Sequence, residues 1–180
     1  LLIRVPQSGD GPALNDAIQE TFENLHLWLP WAKERPSVQS SEEESRKAYS
    51  AFIKREDITY HLIHKQSGLI LGYGSLHPRH WNIPRFETGY WCRKRFERQG
   101  YMTEAVTAIL SFGFNFFKAK RIQMHCDSKN ERSIRLADRV GMIREGELRN
   151  FSIGADGTLR NIVCFAMTDE DWHNRQSSVT

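Results

Sequence analysis

Apolar and polar residues follow their clearest periodic pattern after a glycine turn at Gly100. From Met102 onward, apolar residues recur at spacings of three and four, which is typical of a helix packed on a sheet. These residues are Ala105, Val106, Ile109, Leu110, Gly113, Phe116 and Phe117. A strand, a charged turn and a helix therefore follow one another within residues 87–118. The start of such a helix presents unbonded N–H groups and the positive end of its dipole, which predicts a site for anionic groups.

Three further helices are predicted, over residues 10–24, 41–55 and 130–141. An aspartate and a proline suit the start of the first helix, and Gly141 suits the end of the third. A capping box of Ser41 with Glu44 is predicted to open the second helix. Two tryptophans around a proline, Trp28 and Trp31, predict a stiff, non-helical segment after the first helix.

Alternating apolar and polar positions predict seven strands, over residues 2–5, 58–65, 69–76, 86–93, 121–127, 142–153 and 159–167. Turns at residues 66–68 and 154–157 join two pairs of these strands into hairpins. Residues 77–85 are predicted to form a loop. This order of elements predicts a single domain over residues 1–172, with a mixed α/β sheet and helices on its faces. Residues 173–180 are predicted to be a loose polar tail.

Composition narrows the classes of function only slightly. A chain of 180 residues with 39% hydrophobic residues suits one soluble domain, and a net charge of +3 is too small to predict nucleic-acid binding. No apolar run is long enough for a membrane span, and no signal peptide pattern is visible. The odd number of cysteines, without metal-ligand spacing, predicts reduced thiols and a cytoplasmic location. His77 and His80 lack a third ligand at a suitable spacing, so no metal site is predicted.

Several short motifs together resemble the RimJ/RimL-type branch of the GNAT N-acetyltransferase superfamily. They are Trp28-Leu29-Pro30-Trp31, Gly89-Tyr90-Trp91, the run from Gln99 to Ala105, Asn130-x-x-Ser133, Gly141-Met142 and Glu145-Gly146. The resemblance spans nearly the whole chain, with the motifs in the same order. It implies a single-domain GNAT fold, classed as α/β or, in some schemes, α+β. That fold has a twisted, mixed but mostly antiparallel sheet of six to seven strands, about four flanking helices, and a V-shaped splay between the two central strands.

The resemblance also implies that acetyl-CoA is the cofactor. The family's pyrophosphate loop, Gln/Arg-x-x-Gly-x-Gly/Ala, falls on residues 97–102, where Gly100 matches and Glu97 departs from the pattern. Nearby basic residues are expected to outweigh the charge of Glu97; they are Arg93, Lys94, Arg95 and Arg98. The implied cofactor contacts are Tyr90, Trp91, Cys92, Arg98, Gln99, Gly100, Tyr101, Met102, Thr103, Asn130 and Ser133. The alternative for the loop is a plain glycine-started helix, and for Asn130 a helix cap, which is compatible with cofactor contact.

Direct acetyl transfer requires a deprotonated amine, a polarised thioester carbonyl and a proton for the departing sulfur. The resemblance places the carbonyl donor on the main chain of Gly89–Cys92, at a bulge. Glu87 is the predicted base, because it shares a strand face with Gly89; the alternatives are an exposed strand-end carboxylate and a water chain. Ser133 is the predicted acid, since the family's usual tyrosine is replaced by Ala137; its alternative is a local backbone hydrogen bond. In the RimJ/RimL-type branch, a glutamate on the strand after Gly146 is sometimes assigned as the base, but Ser152 occupies the matching position here.

These features predict an acetyl-CoA-dependent N-acetyltransferase whose acceptor is a protein or peptide N-terminal amine. The acceptor groove is predicted to be walled by Trp28, Trp31 and the 154–157 hairpin. Glu87 is also predicted to contact the acceptor. The alternative for the tryptophans is a plug that closes the core. Two other functions stay open: an acetyltransferase for small amines, and a non-catalytic acyl-CoA-binding module. A homodimer is also left open.

Overall fold

The computed structural model describes residues 1–177, which fold as one seven-stranded sheet flanked by five α-helices. The strands are β1 (Leu2–Arg4), β2 (Ile58–Ile63), β3 (Ile70–His80), β4 (Arg85–Cys92), β5 (Arg121–Asp127), β6 (Ile143–Ile153) and β7 (Leu159–Thr168). The helices are α1 (Gly11–Trp28), α2 (Val38–Lys54), α3 (Tyr101–Asn115), α4 (Glu131–Arg139) and α5 (Asp169–Ser177), with a 3₁₀ turn at Lys94–Phe96.

The sheet has the order β1-β2-β3-β4-β5-β7-β6, and its neighbours are antiparallel except for the parallel pair β4 and β5. In the described part of the chain, that parallel register joins only Arg85–Glu87 to Arg121–Gln123. Beyond these residues the two central strands part. The predicted mixed, mostly antiparallel sheet with a V-shaped splay is thus confirmed.

Helices bury both faces of the sheet. On one face, α3 packs most of its predicted apolar stripe against the central strands, and Val106, Leu110 and Phe86 are fully buried there. Phe116, also predicted in this stripe, follows the end of α3 and is 62% exposed. Gly113 allows α3 to approach closely, because a Cβ at this position would lie 2.6 Å from the Ile122 side chain. On the other face, α1 contributes Leu14, Ile18 and Phe22 to a second cluster that includes Trp91. Each fully buried side chain of this kind stabilises the fold by roughly 1.5–3 kcal/mol.

Two predicted helix boundaries were wrong. Helix α1 continues to Trp28, because Leu25 extends its buried face by one more turn and the helix stops only before Pro30. Helix α2 begins at Val38, and the hydroxyl of Ser37 accepts the capping hydrogen bond from the Ser40 N–H. The predicted capping residue Ser41 is instead buried inside the helix, where it accepts a hydrogen bond from Asn15.

The predicted loop over residues 77–85 was also too long, since β3 continues to His80. His77 pairs with Glu87 of β4, and its ring bridges Asp57 (2.6 Å) and Ser75 (2.8 Å). This serine–histidine–aspartate chain resembles a nucleophilic triad, but Ser75 has no exposed surface. Ser75 therefore cannot meet a substrate. The three side chains instead connect β3 to the residue that precedes β2.

The end of the chain is more ordered than predicted. Residues 173–177, expected in a loose tail, belong to α5, whose Trp172 is buried and stacks on Phe114 with ring centroids 5.5 Å apart. The last part of that predicted tail, residues 178–180, lies outside the described residues. None of the helices in the described range is long and apolar enough to cross a bilayer.

A buried arginine ties α1 to the end of β4. The side chain of Arg93 is 1% exposed and donates to Glu20 (2.7 Å) and Asp16 (2.6 Å) of α1. Glu20 also pairs with Arg95 on the surface. Burial opposes ionisation of Glu20, but the hydrogen bonds from Arg95 and Arg93 outweigh it and lower the pKa of this carboxyl to about 2. These ion pairs set the position of α1 relative to the central strands.

We expect Arg93→Ala to lower the free energy of unfolding by about 2–3 kcal/mol, less than a fully buried pair because both carboxylates keep some solvent contact. Arg95→Ala is the matched control: it removes an exposed partner of the same Glu20 and should cost much less, because solvent screens that pair. Urea denaturation of the two variants measures both values. Equal losses would show that burial of Arg93 adds nothing.

Candidate active site

A cleft of about 890 Å³ opens where β4 and β5 part. Its walls come from the C-terminal end of α1, from β4 and β5, from the turn before α3, and from α4. Five basic side chains line the cleft. They are Arg98 in the turn before α3, Lys129 just before α4, and Arg132, Arg135 and Arg139 of α4. The lining carboxylates are Glu97, Asp127 and Glu131. Basic groups outnumber acidic ones, so the cleft favours an anionic ligand.

The start of α3 forms one end of the cleft. Gly100 caps the helix with φ of +85°, and a Cβ at this position would meet nothing within 4 Å. The first helical hydrogen bond runs from the Glu104 N–H to the Gly100 carbonyl (3.1 Å). The N–H groups of residues 101–103 therefore have no acceptor within the described chain, and Tyr101, Met102 and Thr103 all line the cleft. This geometry suits a phosphate group.

The position of Glu97 in the loop suggested that its charge would repel an anion, but the structure shows that this charge is compensated. Its carboxylate accepts hydrogen bonds from Arg132 (2.6 Å) and Asn24 (2.8 Å), which compensate its charge and hold it between α4 and α1. The expected compensation by Arg93 and Arg95 was wrong, because both are bound to Glu20. Arg132 and Asn24 had no local signal, since they come from elements distant in sequence.

The residues of β4 bring their main chain to the cleft. The Arg93 N–H donates to the Leu71 carbonyl of β3, so by antiparallel alternation Thr88, Tyr90 and Cys92 direct their main-chain groups into the gap. The register of β3 with β4 is continuous through this stretch and shifts only between Pro78 and His80. The predicted bulge was therefore wrong: the splay forms because β5 leaves β4, not because β4 is kinked.

The side chains of β4 explain why a covalent intermediate on this strand is unfavourable. Trp91 is buried in the α1 cluster and so reaches the cleft mainly through its backbone. Burial, reinforced by the charge of Glu97, raises the pKa of the Cys92 thiol to about 12. The thiol is therefore neutral at physiological pH and a poor nucleophile.

Ser133 lies in a group of three side chains that spans the gap. The Tyr90 hydroxyl of β4 donates to the Ser133 hydroxyl (2.9 Å), which is 3.2 Å from the Cys126 sulfur of β5. Burial raises the pKa of Tyr90 above its ordinary range and that of Cys126 to about 11, so both stay protonated. Because Tyr90 donates to it, Ser133 can direct its own proton elsewhere. Asn130 caps α4 by accepting from the Ser133 N–H (3.1 Å) and also lines the cleft.

Three of the predicted site residues lie outside the cleft lining. Gln99 donates to the Arg95 carbonyl of its own loop (2.8 Å). Trp31 is 54% exposed beyond the end of α1, whereas Trp28 does line the cleft. Glu87 lies half-buried at the point where the strands part, and its carboxylate accepts hydrogen bonds from Arg79 (3.3 Å) and Gln123 (3.2 Å). The 154–157 hairpin also contributes nothing to the lining.

Sequence reasoning missed His125. It lies on β5 and lines the cleft, with its Nδ1 3.7 Å from a carboxylate oxygen of Glu87. The alternation of β5 places Gln123 and His125 on one face, but only the parallel register with β4 shows that this face meets Glu87. In the described residues no group of three or more potential ligands is placed to hold a metal ion.

Comparison with known proteins agrees with this architecture. Residues 1–143 match the model of the acetyltransferase (GNAT) domain, and the chain belongs to this family of N-acetyltransferases. YdaF of Bacillus subtilis (strain 168), named as a candidate ribosomal N-acetyltransferase, is 25% identical over 98% of this chain and 95% of its own.

Two solved structures share the fold. The ribosomal-protein-S5-alanine acetyltransferase of Vibrio fischeri has a TM-score of 0.85 at 17% identity, covering 94% of this chain and 93% of its own. RimL, a ribosomal L7/L12 α-N-protein acetyltransferase solved with coenzyme A, has a TM-score of 0.84 at 18% identity, covering 92% of each chain. The predicted GNAT family and fold are thus confirmed.

The turn at Gly100 can be tested by Gly100→Ala. The variant places a side chain at positive φ, which should cost about 1 kcal/mol of stability and displace the N–H groups at the start of α3. We expect CoA to bind about tenfold more weakly in calorimetric titration, equivalent to about 1.4 kcal/mol.

The matched control is Gly157→Ala in the β6–β7 turn, where φ is +74° and a Cβ would also meet nothing within 4 Å. It should cost similar stability and leave CoA affinity unchanged. Equal CoA affinity in the two variants would contradict a role for the Gly100 turn in binding.

Proposed function

We propose that this chain transfers the acetyl group of acetyl-CoA directly to the N-terminal amine of a protein or peptide, in the cytoplasm. The observation that carries the proposal is a single cleft that joins a helix start with unbonded N–H groups, an unpaired strand edge and a part-buried hydroxyl pair. These are the start of α3 at Gly100, the open edge of β4, and Tyr90 with Ser133.

The proposed cofactor fits the residues present. The N–H groups of residues 101–103 would hold the pyrophosphate, and Arg98, which has no partner among the described side chains, would add charge. Main-chain groups of Thr88, Tyr90 and Cys92 would pair with the amides of the pantetheine arm as an added strand does. The CoA in the RimL structure supports the same ligand here.

The chemistry follows from this placement. The amine attacks the thioester carbonyl carbon, a C–N bond forms, and the C–S bond breaks. Ser133 donates a proton to the departing sulfur and recovers one from solvent, while Tyr90, whose raised pKa keeps it protonated, stabilises the Ser133 oxygen by its hydrogen bond. Main-chain N–H groups of β4 in the gap polarise the carbonyl. Cys126 borders the same hydroxyl and stays neutral.

The charge of the cleft favours a peptide acceptor over a polyamine. A polyamine site needs unpaired carboxylates, but each lining carboxylate has an arginine nearby: Arg132 at Glu97, Arg135 at Glu131 and, at 3.8 Å, Arg160 at Asp127. The end of α1 offers the apolar Leu27, Trp28 and Leu29 instead. The ribosomal names of YdaF and RimL point to the same class of acceptor.

A CoA-release screen tests the proposed function. Purified protein with acetyl-CoA is offered peptides with free serine or alanine N-termini, the same peptides with blocked N-termini, and small amines such as spermidine. We expect release only with free N-termini, and mass spectrometry should locate the acetyl group on the terminal nitrogen. Release with small amines alone would favour the small-molecule acetyltransferase. Tight CoA binding without release for any amine would favour the binding module.

Ser133→Ala tests the acid. Removing the hydroxyl should lower kcat about 100-fold, the lower end of the range for general acid–base groups, with CoA affinity unchanged. Ser152→Ala is the control, because Ser152 lies on β6 outside the cleft lining and should keep wild-type kcat. Unchanged turnover of Ser133→Ala across the pH range would show that the acid assignment is wrong.

A further inference from the structure

His125 occupies a distinctive position in the cleft. It lies on the part of β5 that has left β4, and its side chain is 28% exposed. Nδ1 faces the Glu87 carboxylate at 3.7 Å, and the ring meets Phe151 of β6 edge-on, with centroids 6.2 Å apart. Nε2 has no hydrogen-bond partner among the described residues. A carboxylate beside Nδ1 favours the tautomer with its proton on that nitrogen, which leaves a lone pair on Nε2.

We propose that His125 is the catalytic base that removes a proton from the acceptor ammonium, and that Glu87 is a positioning residue that orients its ring. This inference rests on the proposed acetyl transfer to an amine and adds a residue to its site. His125 lines the cleft, whereas Glu87, the base suggested by sequence, does not. One Glu87 oxygen, Oε2, already accepts from both Arg79 and Gln123 and lies near the imidazole.

The proton balance closes without another reactant. The acceptor ammonium gives one proton to Nε2 of His125 and becomes a nucleophilic amine. After the C–N bond forms and the C–S bond breaks, the nitrogen loses its second proton to solvent, the sulfur gains a proton from Ser133, and solvent returns one proton to Ser133. The products are the acetylated amine and the CoA thiol, and one net proton passes from His125 to solvent.

The charged groups around His125 give the expected sign of the pH dependence. Glu87 of β4 faces it directly, Arg79 of β3 reaches it through Glu87, and Cys164 of β7 is its register partner. Arg121 and Asp127 share its strand face, and Glu145 of β6 pairs with Arg121. Only the neutral imidazole can accept a proton. The rate should therefore fall at acidic pH, where the imidazole is protonated.

His125→Gln provides the main test, on whichever amine the wild-type protein acetylates. We expect kcat/KM to fall about 100-fold or more at neutral pH and the acidic limb of its pH profile to disappear. CoA affinity, measured by calorimetry, should stay unchanged and so show that the variant is folded. A profile that keeps the wild-type acidic limb, or kcat/KM within twofold of wild type, would overturn the proposal.

Glu87→Gln tests the positioning role. It should keep an acidic limb, with a smaller loss of kcat/KM than His125→Gln. A complete loss of the limb in Glu87→Gln, with His125→Gln unaffected, would return the role of base to Glu87. His80→Gln is the control histidine, because His80 accepts only a turn hydrogen bond from the Ile83 N–H. If the wild-type protein acetylates only small amines, the proposed peptide acceptor is wrong, and the His125 variants still test the base on those amines.

Discussion

The parting of two parallel strands is the constraint on which the rest of the site depends. Strands β4 and β5 share a register over three residues and then separate, so their facing edges lack the hydrogen bonds that a sheet interior supplies. Unpaired backbone groups buried in a protein are costly unless something satisfies them. A ligand with amides at a suitable spacing would supply the missing hydrogen bonds. The cleft can therefore be described as a place where the sheet lacks one strand. Every functional group described above is arranged around that gap.

The two faces of the sheet contribute different chemistry to the gap. The face of α3 and α4 carries the helix start at Gly100 and the Tyr90–Ser133 pair, which suit phosphate and a departing sulfur. The opposite face carries Glu87 with His125, and the apolar end of α1 lines the same cleft as His125. In the proposed reaction, the cofactor and the acceptor would therefore approach from opposite sides, and the thioester would meet the amine where the strands diverge.

Local periodicity predicted much of the fold but few of the side-chain contacts within the site. The stripe of α3 and the strand alternation were sufficient to place most elements, and the family resemblance supplied the splay. The end of α1 was mispredicted because the tertiary burial of Leu25 extends the helix to Trp28, so that it ends only just before Pro30. Contacts such as Glu97 with Arg132, or Glu87 with His125, join residues about 35 apart in sequence. They depend on a parallel register that no local pattern encodes.

The ion pairs of Arg93 have a mechanical consequence. Helix α1 carries Trp28 at its end and is fastened near its middle to the residue that follows β4. Helix α1 and the end of β4 are therefore tied together through one buried guanidinium group. In the proposed reaction, substitutions at the exposed end of α1 would change the fit of the acceptor without altering the main-chain groups of β4 that would hold the cofactor.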